Sequence, residues 1–376
     1  MSTKLILRKI YQIAFVIFTF SSIAIFTFFV VKKCSNDEKN IIKIGVIAPL
    51  TGNQSRNAEM MMNGFRIAAE EDGIVLVVED SQDSPSKAKS AALKLITQDK
   101  VIAILGDSRS VVTKSIADET DTKNIILVSS ISTSDNLTNN ISFFRNVPRN
   151  ELQAKSAYLF IKHNLQLNNV AIFNKNDDYG NDMSNHFKAN ASDLNIVFTE
   201  SYANNRTDFK TSIEKIKLSG ADVIFTPSNY EETKNFIKQA IELNLNIPII
   251  GGDDTDENLI NTAKQYSGGY YYTTFIIDEN SDFCKSFYNK FKEKLSREPQ
   301  TYEAYAYEAA KILFESIKES PSKRTEDVKF YLTNHVFENS LTGEIGFDNQ
   351  GNVKNRIFGV IQVTPSGILK IKLHEE

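Results

Sequence analysis

Ser110 and Thr133 each lie just beyond a short β-branched run, in loops that open helical patterns, and Asp253 follows a third such run. A helix amino terminus offers unpaired N–H donors and a partial positive charge, which suit a carboxylate, and a hydroxyl there adds another donor. The acid at Asp253 suits an ammonium. Together the three describe a site for a zwitterion; taken singly, each hydroxyl also reads as a simple helix cap. Arg109 suits an acidic ligand group, or equally a structural pair with Asp107. The cluster Asp253, Asp254, Asp256 and Glu257 lacks the glycine and spacing of a calcium loop, so Asp254 and Asp256 read as helix caps. The four histidines, His163, His186, His335 and His374, show no metal-ligand spacing, and CxxC is absent. No GxSxG elbow, phosphate loop or GxGxxG fingerprint occurs. Neither an enzyme nor a bound metal or cofactor is expected.

The elements that must position these residues are strands alternating with helices. Nearly continuous apolar runs fall at 42–47, 74–78, 101–105, 125–128, 170–173, 196–198, 223–225 and 247–250, as expected for strands covered on both faces. Helical stripes lie between them, including Phe236, Ile237, Ala240 and Ile241. Such alternation implies parallel sheets with right-handed crossovers, and the length fits two sheets better than one open sheet. A helix-rich stretch over 281–334, a glycine turn over 346–351 and a last strand over 358–363 follow. The run Tyr270, Tyr271, Tyr272 reads as a strand crossing between lobes. Ligands of parallel α/β sheets sit beyond the carboxyl ends of the strands, which is where Ser110, Thr133 and Asp253 fall.

The 376 residues carry a net charge of −4, without the basic surface that nucleic acid requires. Residues 10–31 form an uncharged run of 22, preceded by Lys4, Arg8 and Lys9. That length spans a bilayer, and the leading cations hold the amino terminus in the cytoplasm. The run is longer than a usual signal core and its end is a poor processing site, so it reads as an uncleaved anchor; the alternative is a secretory signal with Cys34 lipidated after cleavage. Both put the rest of the chain outside the cytoplasm, on the periplasmic face of the membrane. Cys34 and Cys284 read as unpaired thiols.

The segment IKIGVIAPLTG, the pattern Gly106-xxx-Ser110-xx-Thr113, the pair Ser132-Thr133, Asn136-Leu137-Thr138, Asp178-Tyr179-Gly180, Tyr305 to Ala310 and Phe347-Asp348-xx-Gly351 occur in that order. In this the chain resembles the leucine/isoleucine/valine-binding protein family, type I periplasmic binding proteins that feed ABC importers, over about 41–363. The resemblance implies two Rossmann-like lobes, 41–147 with 278–345 and 148–277 with 346–376, after an amino-terminal segment 1–40. It implies three hinge crossings near 147–150, 273–278 and 346–349, and closure around a ligand. Carried over, Ser110 and the Thr133 N–H hold a ligand carboxylate. The Thr133 hydroxyl, the Ile131 carbonyl and Asp253 hold its ammonium. Tyr179 reaches toward the carboxylate, and Asn57 lines the side-chain end opposite Tyr230 or its neighbours Ser228 and Asn229. The implied partners are an amino-acid-like small molecule and a membrane permease, with the protein a monomer; a membrane-anchored sensory ectodomain is the alternative. Asn57, Arg109 and an aspartate at 253 depart from the family's branched-chain binders and point to a more polar amino acid, an amide or a urea-like solute.

Overall fold

The computed structural model describes residues 42–52, 54–204, 206–371 and 373. The expected anchor or signal at 10–31 and Cys34 lie outside them. Among the described residues no helix is long and apolar enough to cross a membrane.

The first half of the chain runs β1 (Lys43–Ala48), α1 (Ser55–Asp72), β2 (Val75–Asp80), α2 (Pro85–Lys94), β3 (Ala103–Gly106), α3 (Ser110–Lys123), β4 (Ile126–Ser129) and β5 (Phe143–Arg145). Then come α4 (Asn150–Leu159), β6 (Asn169–Lys175), α5 (Asp178–Asn190), β7 (Asn195–Tyr202), α6 (Lys210–Leu218), β8 (Val223–Thr226), α7 (Tyr230–Glu242), β9 (Ile249–Gly251), α8 (Glu257–Ala263) and β10 (Tyr270–Phe275). The chain ends with α9 (Asp282–Leu295), α10 (Thr301–Glu319), α11 (Thr325–Asn334), β11 (Phe358–Thr364) and β12 (Gly367–Ile371).

These elements form two sheets. The first has order β2-β1-β3-β4-β5 and is parallel throughout; the second has order β12-β11-β10-β9-β8-β6-β7, with only β11 and β12 antiparallel to their neighbours. The apolar runs have a simple cause. In β6 the side chains of Val170 and Ile172 join one core cluster while Ala171 and Phe173 join another on the opposite face. Both faces are covered at these four positions, so all four are apolar. The edge strand β7 has one open side, and its residues alternate between exposed and half-buried. In the first sheet the order reverses between β1 and β3, and in the second between β6 and β8. Loops at such reversals splay apart and leave a crevice.

Glycine sets the closest helix contact. Gly64 on α1 packs on α10, where a Cβ would overlap the Glu303 carbonyl and the Tyr307 nitrogen.

The chain passes between the sheets at 146–149, at 276–281 and once more before β11. The glycine turn expected to open the last crossing instead belongs to the first sheet. The Arg145 N–H donates to the Gly351 carbonyl at 3.0 Å, and the buried Arg145 guanidinium donates to Asn352 Oδ1 and to the Ser134 carbonyl at 2.7–3.0 Å. A guanidinium out of water needs these acceptors, and they hold the turn against β5. The crossing therefore falls after Val353.

A buried ion pair ties the crossings together. Glu308 of α10 accepts from Arg356 at 2.6 and 2.7 Å, from Asn146 Nδ2 at 2.7 Å and from the Leu341 N–H at 2.7 Å. Both side chains are essentially inaccessible. Removing one partner of such a pair strands the other charge and costs about 3–5 kcal/mol. Glu308→Gln is therefore expected to lower the urea midpoint strongly; a midpoint within experimental error of the parent protein would show that the pair does not hold the crossings.

Candidate functional site

The strand-end loops of the two sheets meet across one cavity. From the first half it is lined by Gln54 and Asn57 of the β1–α1 segment, Ser108 to Val111 after β3, and Ile131 and Thr133 after β4. Asp177 and Tyr179 after β6, Asn229 after β8, and Asp253 and Asp254 after β9 face them, and Tyr302 of α10 completes the wall. The volume is about 40 Å³, room for a few water molecules.

The structure brings Ser110, Ile131, Thr133, Tyr179, Asp253 and Asn57 to this one cavity. Ser110 opens α3, and its hydroxyl accepts from the Ser134 N–H at 3.3 Å. The first-turn N–H groups of α3 have no partner inside the helix. That end of the cavity is a donor surface.

Tyr230 is not in the lining. It packs in the hydrophobic core of the second half, because the first turn of α7 turns that ring inward, and Asn229 lines the cavity in its place. Arg109 pairs with neither Asp107 nor a free space for an acidic ligand. Its guanidinium bonds both Asp83 oxygens at 2.8 and 2.9 Å and Asp177 of the other half at 3.1 Å. Burial alone would depress its basicity, but the Asp83 and Asp177 charges outweigh that and hold it above the ordinary value. Asp107 is instead tied to the Ser108 and Arg109 N–H groups.

Asp253 is served by neutral donors only. Its Oδ1 accepts from Gln153 Nε2 at 2.8 Å and Tyr179 Oη at 2.9 Å, and its Oδ2 from Tyr302 Oη at 3.1 Å. Burial pushes its carboxyl up, against the pull of these hydrogen bonds. Burial, then the Asp253 charge, pushes the Tyr179 hydroxyl well above its usual range. The Tyr179 proton is therefore directed at Asp253 rather than at the donor surface. Gly252 makes this approach possible, since a Cβ there would overlap Tyr179 Oη.

Asp254 does not cap α8. Asp256 does, accepting from the Leu259 N–H at 2.6 Å. Asp254 turns into the cavity, where it accepts from Asn57 Nδ2 at 3.4 Å and the Tyr230 N–H at 3.3 Å. Elsewhere on the cleft, Asp135 of the first half meets Asp182 and His186 of α5, whose oxygen and nitrogen atoms come close enough to hold a metal. Arg149 already bonds Asp135 there at 3.2 Å, and the Asp135 N–H bonds Asp182 at 2.7 Å, so a cation and a donor serve those acids.

The sequence does not single out Gln153 and Tyr302, which hold Asp253, or Asp177, which holds Arg109. The only signal for Asp177 was its place in the loop after β6, next to Tyr179. Gln153 and Tyr302 sit inside helical patterns and carry none.

Burial, then the neighbouring Asp253 charge, raises Asp254 from 3.8 to about 7. A folded value above the unfolded one means that the contribution of the protonated acid is complete below about pH 4 and lost as pH rises through about 7. Asp254→Asn removes that loss. It is expected to raise the ligand-free melting temperature at pH 8, with a smaller gap at pH 5 and none below about pH 4. The limit is about 4 kcal/mol for a wholly dry group, and less here because the carboxylate opens on the cavity. Thermal scans at the two pH values check this; a variant less stable than the parent at pH 8 would contradict it.

The periplasmic binding protein family profile matches residues 41–367. An amino acid binding protein of Pseudomonas aeruginosa is 26% identical over 330 residues, which cover 83% of this chain and 87% of its own. The leucine binding protein of Thermotoga maritima is similar in structure, with a TM-score of 0.80 at 25% identity over 88% of this chain and 98% of its own. A branched-chain amino acid transporter substrate binding protein of Streptococcus pneumoniae, solved in complex with isoleucine, shares the fold with a TM-score of 0.78 at 22% identity, over 88% of this chain and 100% of its own. These similarities run through both sheets and all three crossings, the architecture of type I periplasmic binding proteins. On that profile and that shared architecture, the chain belongs to the periplasmic binding protein family.

Proposed function

We propose that this protein captures a small amino-acid-like ligand outside the cytoplasm, without chemistry on it, and delivers it to an ABC importer in the membrane. The observation that carries this reading is the meeting, in one interlobe cavity, of a helix amino terminus and a buried acid. The carboxylate of a zwitterion goes to the α3 terminus at Ser110 and to Thr133. The ammonium goes to Asp253, with the Ile131 carbonyl and the Thr133 hydroxyl beside it. Tyr179 acts through Asp253, holding its carboxylate toward the ligand. Asn57 and Asn229 take the side-chain end.

The lobes comprise the two sheets with their helices, and the crossings act as the hinge. A guest bound by loops of both lobes stabilises the closed form by its differential affinity for that form. The relatives named for amino acid and leucine binding support this class of ligand. The uncharged run at 10–31 supports tethering to the membrane, which also fits a monomeric sensory ectodomain reporting to a membrane partner.

A thermal-shift screen of the protein against the twenty amino acids and small amides tests the reading, since binding raises apparent stability by mass action. A zwitterionic hit is expected, weakened at least about tenfold by Ser110→Ala and by Asp253→Ala, a loss of about 1.4 kcal/mol or more for each. A hit indifferent to both substitutions would place the site elsewhere.

A further inference from the structure

The charges in the cavity do not balance around a neutral side chain. Arg109 is the one cation of the lining, and Asp83 and Asp177 already engage it. Asp253 has three donors, all uncharged. Its charge is left for a ligand ammonium. Asp254 is served less well. It has two donors, both at 3.3 Å or more, and no Lys or Arg within ion-pair distance among the described residues.

Asn57 supplies a second, independent sign. It is 3% exposed and lines the cavity beside Asp254. Its Nδ2 donates to Gln54 Oε1 at 2.9 Å and to Asp254, which fixes the amide orientation. Its Oδ1 is buried and accepts no hydrogen bond. Buried acceptors without donors are costly, and natural sites keep few of them. The subsite thus sets a carboxylate beside a buried amide, both short of hydrogen-bond partners. Only Val111 and Ile131 in the whole lining are aliphatic, where a branched-chain guest wants apolar walls.

We propose that the guest is an amino acid with a cationic side chain, whose distal ammonium or guanidinium sits between Asp254 and Asn57 Oδ1. This rests on the amino-acid reading above and names the class within it. The α-ammonium balances Asp253, the side-chain cation balances Asp254, and Arg109 stays with its two aspartates. An apolar side chain at the same place would bury Asp254 without a counter-charge, which discriminates against leucine, isoleucine and valine.

The test is isothermal titration of the full chain, purified in detergent, with L-lysine, L-ornithine, L-arginine, L-glutamine, L-asparagine, L-leucine and L-valine. A basic member is expected to bind at least about tenfold tighter than every neutral one. Asp254→Asn should abolish that preference, and Asn57→Ala should reduce it. Ligand-free thermal scans show whether each variant is folded. A neutral amino acid bound as tightly as the basic ones, or a preference untouched by Asp254→Asn, overturns the inference. If such a neutral guest were still lost with Asp253→Ala, the amino-acid reading would survive; binding of no member would overturn both.

Discussion

A carboxylate taken out of water must be given donors or a cation, and the cleft is organised around that requirement. Three aspartates line it, and each meets the demand differently. Asp177 shares Arg109 with Asp83, so a charge from one half neutralises charges from both. Asp253 draws on Gln153, Tyr179 and Tyr302, whose dipoles stabilise the acid without cancelling its charge. Asp254 receives two long hydrogen bonds. The gradient from satisfied to unsatisfied runs into the cavity.

The same requirement governs the hinge. Asn146 in the first crossing and Arg356 in the last are buried, and their polar groups cannot turn to water. Glu308 gathers Asn146, Leu341 and Arg356, so that the first and last crossings share one anchor on α10. Tyr305 of the same helix donates to the Ile276 carbonyl in the second crossing at 2.8 Å. Contacts that span the cleft include Arg109 with Asp177, Tyr302 with Asp253, Asn57 with Asp254, and Asp135 with Asp182 and His186, all of them polar.

Much of this was legible in the sequence, for a physical reason. Strands covered on both faces leave continuous apolar runs, and β1, β3, β4, β6, β8 and β9 lie where such runs occur. Strand ends face the crevice in any parallel sheet, so Ser110, Thr133, Tyr179 and Asp253 could be picked out by position. The short strand β5 was not read, because three residues carry no period. The turn at 346–351 gives no sign in sequence of the sheet it packs on, because what holds it is Arg145, about 200 residues earlier. Asp254 looked like a cap beside Asp256, since chain neighbours give no sign of which acid points where. Arg109 could not be matched to Asp83 and Asp177, nor Asp135 to His186, because long-range pairing depends on how two finished halves meet. Tyr230 and Asn229 differ by one position at a helix start, and the rotation of that first turn decides which faces the cavity.

The central claim is that the two halves close on a guest that bridges their loops. Spin labels at Lys89 on α2 and Lys188 on α5, introduced as cysteines with Cys34 changed to serine, report the separation of the halves by double electron–electron resonance. Saturating amino-acid ligand is predicted to shift a broad distance distribution to a single shorter, narrow one. An unchanged distribution with ligand demonstrably bound would contradict closure as the mechanism of capture.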